Sequence, residues 1–164
     1  MPQASELPRP PSIPRKLHLS RKQWIGFPIL LAIPIAALLG LFGERTALAR
    51  VKSASLDVAV AYPERFRYRQ VQSLHLSVRN LSAQPLDTIT ISFDTAYIPR
   101  FSSVRFEPPV KKAYAVELTD VKPMESRLVA VEMWGQDYGM HRGTIVARTG
   151  TDSAMVRIRT FVFP

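Results

Sequence analysis

Two periodicities divide the chain. From Trp24 to Phe42, in "WIGFPILLAIPIAALLGLF", no charged residue interrupts an apolar run. From Ser53 onward apolar residues alternate with polar ones in short runs broken by Pro, Gly, Asn and Asp, which is the signature of half-buried strands. "SLDVAVAY" sets Leu56, Val58, Val60 and Tyr62 on one face, and "LHLSVRN" does the same with Leu74, Leu76 and Val78. "LDTITISF" offers Ile89, Ile91 and Phe93, and "AYAVELTDV" offers Tyr114, Val116 and Leu118. "RLVAVEMW", "GTIVARTG" and "AMVRIRTFVF" follow, the last two joined by Gly150-Thr151-Asp152, a short polar connection suited to a hairpin. Seven to eight short strands without a long helical period predict an antiparallel β-sandwich.

At about 1.5 Å per helical residue the apolar run reaches roughly 28 Å, close to the hydrocarbon thickness of a bilayer, so the expected fold class is one transmembrane α-helix plus an all-β domain. The run is longer than a secretory signal's apolar region. Ala47-Leu48-Ala49 nevertheless satisfies the small-x-small cleavage rule, leaving cleavage after Ala49 as the alternative to a retained anchor. Arg9, Arg15, Lys16, Arg21 and Lys22 before the run outnumber Arg45, Arg50 and Lys52 after it. That bias predicts a cytoplasmic N-terminus and a C-terminal domain outside, which in a bacterium is the periplasm of the inner membrane. The expected division is a Pro-rich basic tail over 1–22, the membrane helix over 23–43, a linker over 44–52 and the β-domain over 53–164.

Within the apolar run Ala32, Ala36 and Gly40 recur every fourth residue and form a small-residue ridge for helix packing against an integral membrane partner. Pro34 bends such a helix, and Pro28 lies nearer its start. In the tail, Pro8, Pro11 and Pro14 make overlapping P-x-x-P spacings, while Arg15, Lys16, Arg21 and Lys22 would attract anionic lipid at the basic flank.

The strand order "LHLSVRNLSAQPLDTITISF", "VELTDVKPMESRLVAVEMW", "GMHRGTIVARTG" and "AMVRIRTFVFP" resembles the bacterial immunoglobulin-like modules of the CARDB type over Ser53 to Pro164. Asn80 after a strand and the Lys122-Pro123 turn before another occupy matching places. The resemblance implies an immunoglobulin-like β-sandwich and a binding or spacer role, with no activity. The segment "DTAYIPRFSSVRFEPPVKK" is longer than a minimal module requires.

Of 164 residues, 14 are proline and none is cysteine, so no disulfide staples the domain and no lipoprotein attachment is open to it. The formal charge of +9 is partly the tail's topology signal, and the remaining basic residues are scattered along strands, which argues against a nucleic-acid partner. The stretch "WGQDYGMHRG" gathers Trp134, Asp137, Tyr138, His141 and Arg142. Its three glycines suit a connection with positive φ, and no nucleophile elbow or paired carboxylate accompanies Asp137, so it predicts contact rather than catalysis. Trp134, Tyr138 and Arg142 are types that dominate binding hot spots and are the expected partner contacts.

His18 lies in the tail and His75 on the face opposite Leu74 and Leu76, which leaves too few histidines for zinc. Met133, Met140 and His141 are weak candidates for cuprous copper, although Met at a strand end more often fills core. Phosphate loops, dinucleotide fingerprints and zinc-protease motifs are absent, so no enzyme and no cofactor is expected. Two roles remain. One is an accessory or assembly subunit whose helix and sandwich make protein-protein contacts with an integral membrane complex; the other is a free-standing, membrane-tethered envelope module gripping a protein, glycan or copper ligand.

Overall fold

The computed structural model describes residues 21–40 and 43–164, with side chains from residue 25. It divides into two units, Met1–Phe42 and Gly43–Pro164. In the first, α1 runs Arg21–Leu38 and contains Pro28 and Pro34. A turn follows at Leu39–Gly40, where Leu39 N donates to Ile35 O and Gly40 takes φ +72°. This departs from the expected helix over 23–43. The helix begins on Arg21 and Lys22 and stops before the apolar run does, so its uncharged part, Trp24–Leu38, reaches only about 22 Å at about 1.5 Å per residue. Among the described residues no helix is long and apolar enough to cross a membrane.

The second unit holds nine strands: β1 Arg45–Lys52, β2 Leu56–Arg67, β3 Val71–Asn80, β4 Leu86–Phe93, β5 Phe101–Glu107, β6 Ala115–Val121, β7 Ser126–Gly135, β8 Gly139–Thr149 and β9 Asp152–Phe163. A 3-10 turn, Ile98–Arg100, leads into β5. The ladder runs β5-β7-β3-β2-β9-β8-β4-β6, with β1 added on β2. β2 joins the two layers: its first half, Leu56–Ala61, pairs with β3, and its last residues, Arg65–Arg67, pair with β9. One core lies between them, drawing Leu56, Leu74, Leu76 and Val131 from one arm and Ile89, Val116, Ile145 and Val156 from the other, all at most 1% exposed. This is a β-sandwich, and every inward residue named from the alternation is buried except Tyr114.

Four expectations change. The linker over 44–52 is strand β1, and the β-domain therefore begins before Ser53; its alternate residues Ala47, Ala49 and Val51 pack on the core while it pairs with β2 along its whole length. The long segment after Asp94 supplies β5, a short edge strand on β7 with a register shift between Ser102 and Arg105, where Ser103 has φ +49°. With both included the count is nine rather than seven to eight. The sheet is also not wholly antiparallel, because β2 and β9 run parallel at Arg65–Phe161 to Arg67–Phe163. Tyr114 does not extend β6: it precedes the strand with φ +54° and is half-buried.

Asn80 and the Lys122-Pro123 turn form one hydrogen-bonded knot at the end of β3. The Asn80 amide donates to Gln84 O (2.9 Å) and Val121 O (3.0 Å) and accepts from Ser82 N (2.8 Å) and Ser82 Oγ (2.7 Å). Its backbone exchanges bonds with Glu125 O and Met124 N. All the capacity of a wholly buried amide is used. At the same end Asp152 receives Ser53 Oγ (2.7 Å), Ser55 N (2.8 Å) and Ser55 Oγ, tying the β1–β2 turn to the β8–β9 hairpin. These donors, Ser55 Oγ foremost, hold its carboxyl down at about 2.

Candidate functional site

The stretch from Trp134 to Gly143 is mostly strand. β7 ends on Gly135, β8 starts on Gly139, and only residues 136–138 turn between them. Of its glycines, Gly139 alone needs left-handed backbone, at φ +101°. Gly135 and Gly143 are glycine for a different reason than the expected positive φ. A Cβ on Gly135 would stand 2.9 Å from the Phe66 ring, and one on Gly143 2.5 Å from the Tyr97 ring. The backbone of β8 lies directly on Tyr97, whose hydroxyl donates to Thr160 Oγ1 (2.8 Å), which in turn donates to Pro63 O (2.8 Å). Burial raises the Tyr97 phenol to about 12, against the opposing pull of its Thr160 bond.

The turn is held from both sides. Tyr138 packs on Tyr68 with centroids 4.6 Å apart, and Arg69 lies 5.2 Å over the other aromatic partner, Tyr68. Arg100 approaches Asp137 at 3.5 Å. Nε2 of His141 donates to the Asp137 carbonyl at 2.9 Å, and the ring meets Phe101 edge-on at 5.7 Å. Asp137 and His141 are thus engaged in shaping the turn.

Trp134 (45% exposed) and Tyr138 (56%) reach solvent, as does Arg142. Val71, directly across from Trp134, and Met140, across from Phe161, are exposed apolar residues as well. The chain enters the β-domain at this same end: Glu44 accepts from Gln72 Nε2 (3.1 Å), and Arg45 pairs in register with Arg65, itself beside Phe161. The copper candidates do not converge, since Met133 is wholly buried in the core while Met140 is half exposed. His75 is exposed, as its alternation requires. Among the described residues no three His, Cys, Asp or Glu side chains form a metal-sized group, and no buried side-chain polar atom lacks a partner. Ala32 and Ala36 lie on α1, with Gly40 in the turn beyond it.

Three of the arginines that lie apart in sequence come together in space. On the outer face of β8 and β9, Arg142 is directly opposite Arg159, and Arg157 is opposite Thr144. These residues line an open cleft of about 460 Å³, with Asp94 as its only carboxylate. The signal was present in the sequence. A hairpin closed at Gly150-Thr151 pairs Thr149 with Asp152, and counting back from that pair brings Arg142 to Arg159.

No family model matches the chain, and no curated protein matches it. Solved structures with a similar backbone include the CARDB domain of a Pyrococcus furiosus protein in complex with di-metal ions (TM-score 0.45, 12% identity, covering 70% of this chain and 95% of that one). Others are the cupredoxin domain of amoB from Nitrosocaldus yellowstonii (TM-score 0.43, 9% identity, 68% and 89%) and a PapD-like domain of human CEP192 (TM-score 0.40, 10% identity, 68% and 87%). At these values they carry nothing about ligands or partners, and the sandwich stands on its own strand pairing.

Proposed function

We propose that the chain is a non-catalytic, single-pass protein of the inner membrane, its N-terminus cytoplasmic and its β-sandwich periplasmic, serving as an accessory or assembly subunit of an integral membrane complex. One observation carries this reading. The end of the sandwich by which the chain enters is the end that exposes Trp134, Tyr138, Val71 and Met140. Aromatic residues with neighbouring arginines suit a surface facing lipid headgroups and the protein embedded among them.

The apolar run continues past Leu38 through Leu41 and Phe42. In lipid the backbone has no water to bond, which favours continuing the helix past Leu38 through Gly40. The exposed side chains of Ile25, Phe27, Ile29, Leu30 and Ile33 fit such surroundings. Ala32 and Ala36, extended by Gly40 in a longer helix, would then offer the close-packing ridge.

The test is purification of the tagged full-length chain in mild detergent. Stoichiometric migration with a large complex is expected, with loss of it in Trp134→Ala/Tyr138→Ala and in Ala36→Leu/Gly40→Leu. Release of the native protein from membranes by carbonate would refute the anchor. Unchanged migration of both double variants, with intact folds, would refute the contacts.

A further inference from the structure

The outer face of the β8–β9 hairpin carries an electrostatic conflict that the protein does not resolve internally. Directly opposed residues of an antiparallel pair have Cβ atoms about 4.5–5.5 Å apart, and like charges there repel. Arg142 and Arg159 occupy such a pair, and Arg157 is the next outward residue of β9, on the same face as Arg159. Arg159 has a partial counter-charge, since its Nη2 lies 3.6 Å from Glu64 Oε1. Glu64 is shared, however, because Arg45 Nε approaches its other oxygen at 3.2 Å. Arg142 and Arg157 have no ion-pair partner among the described residues. Asp94, the one acid lining the cleft, already accepts from Ala96 N through Oδ1 (2.7 Å). Met140 and Thr144 also line the cleft, Thr144 bringing a hydroxyl.

Around one open cleft of about 460 Å³ stand three planar, bidentate guanidinium donors, two of them without an ion-pair partner among the described residues and the third sharing Glu64 with Arg45. Each matches the spacing of two oxygens on a tetrahedral oxyanion, and together they favour a ligand with more than one negative charge on one centre. We infer that the cleft between Arg142, Arg157 and Arg159 binds a phosphate-bearing anion. The site sits two residues inward from Met140 and Phe161, and its chemistry is shared by a lipid headgroup phosphate and a soluble phosphate ester. The inference rests on the cleft alone and is independent of the assembly role proposed above.

The probe is inorganic pyrophosphate, titrated calorimetrically into the full chain in a non-ionic detergent at fixed ionic strength. Saturable binding is expected, with Kd weakened at least tenfold in Arg142→Gln/Arg157→Gln and less than twofold in Arg105→Gln/Lys122→Gln, which removes the same charge elsewhere. Without ligand the cleft variant melts no lower than the native chain, because a repulsion has been relieved; pyrophosphate raises the melting temperature of the native chain and of the Arg105→Gln/Lys122→Gln variant, and raises that of the cleft variant less. Displacement of pyrophosphate by dihexanoyl phosphatidic acid identifies a headgroup source, and displacement by glycerol phosphate a soluble one; either upholds the site. Absence of saturation, equal weakening in both double variants, or displacement by hexaglutamate as effectively as by the phosphates would overturn it.

Discussion

Replacing Asn80 tests the account of the sandwich most severely, because a wholly buried amide there satisfies four partners at once. Asn80→Ala removes all four bonds while leaving the backbone bonds to Glu125 O and Met124 N in place. Three of the lost bonds lie where the surroundings are partly open, and water can replace some of them; the bond to Val121 O is buried. At about 1 kcal/mol net per bond, and about 1–3 kcal/mol for an orphaned buried carbonyl, the loss comes to roughly 3–4 kcal/mol. A β-domain of this size unfolds with roughly 0.25 kcal/mol per degree of entropy, so the midpoint should fall by about 12–16 °C. Asn80→Asp sharpens the test. It keeps both acceptor bonds to Ser82 but turns a second oxygen toward Gln84 O and Val121 O, so a charge there is buried against two carbonyls. Its folded-state pKa must rise above the ordinary value of about 3.9. The protonated form is then favoured by folding, so the penalty is least below about pH 4 and grows as pH rises toward the folded-state pKa. Thermal unfolding of the full-length variants in mild detergent, followed by circular dichroism, measures both. A loss under about 1 kcal/mol for Asn80→Ala, or native stability of Asn80→Asp at neutral pH, would refute the knot as a major tie.

Other outcomes follow from single contacts. Asp152 is held at about 2 in the folded chain against an ordinary 3.8, so its contribution is present above pH 4 and is lost as pH falls toward 2; Asp152→Asn should flatten the acid limb of a melting-temperature profile, and an unchanged limb would deny the staple to Ser53 and Ser55. Gly143→Ala places a methyl 2.5 Å from the Tyr97 ring and should cost about 2–3 kcal/mol in urea unfolding. Gly139→Ala meets open space and only an unfavourable φ, so about 1 kcal/mol is expected, and a reversed order would contradict the packing of β8 on Tyr97. Tyr97→Phe loses one buried hydroxyl bond while Thr160 keeps its bond to Pro63, for about 1 kcal/mol; in spectrophotometric titration the native chain should show one phenol ionising near 12 that Tyr97→Phe lacks.

Alternation made the core of β2, β3, β4, β7, β8 and β9 readable, since each buries its large apolar residues at a single parity, β2 adding Asp57 and Pro63 of the other. β1 was not readable because its inward set, Ala47, Ala49 and Val51, is small and its outward set carries Arg45, Arg50 and Lys52. Locally that is linker composition, and only pairing with β2 makes it a strand. β5 was hidden by its bulge at Ser103 and by its dependence on β7, some thirty positions further along. The exposed types at Trp134, Tyr138 and Arg142 were legible from composition. The reason for Gly135 and Gly143 was not, because Phe66 and Tyr97 are distant in sequence and neighbours only in space. The arginine cleft was legible in principle from hairpin register, yet a one-dimensional view of spacing spreads Arg142, Arg157 and Arg159 apart.

Because β2 closes one layer at its start and the other at its finish, assembly of the domain has an order imposed by synthesis. β1, β2, β3, β5 and β7 can complete their layer while β9 is still inside the ribosome; the second layer cannot be joined to β2 until Phe161–Phe163 emerge. During that interval the inward faces of β4 and β6 have no stitched edge, and loop closure across nearly the whole domain stands between them and the native pairing. Phe161–Phe163 therefore act as a clasp, and a nascent chain stalled before them is the species a chaperone would meet.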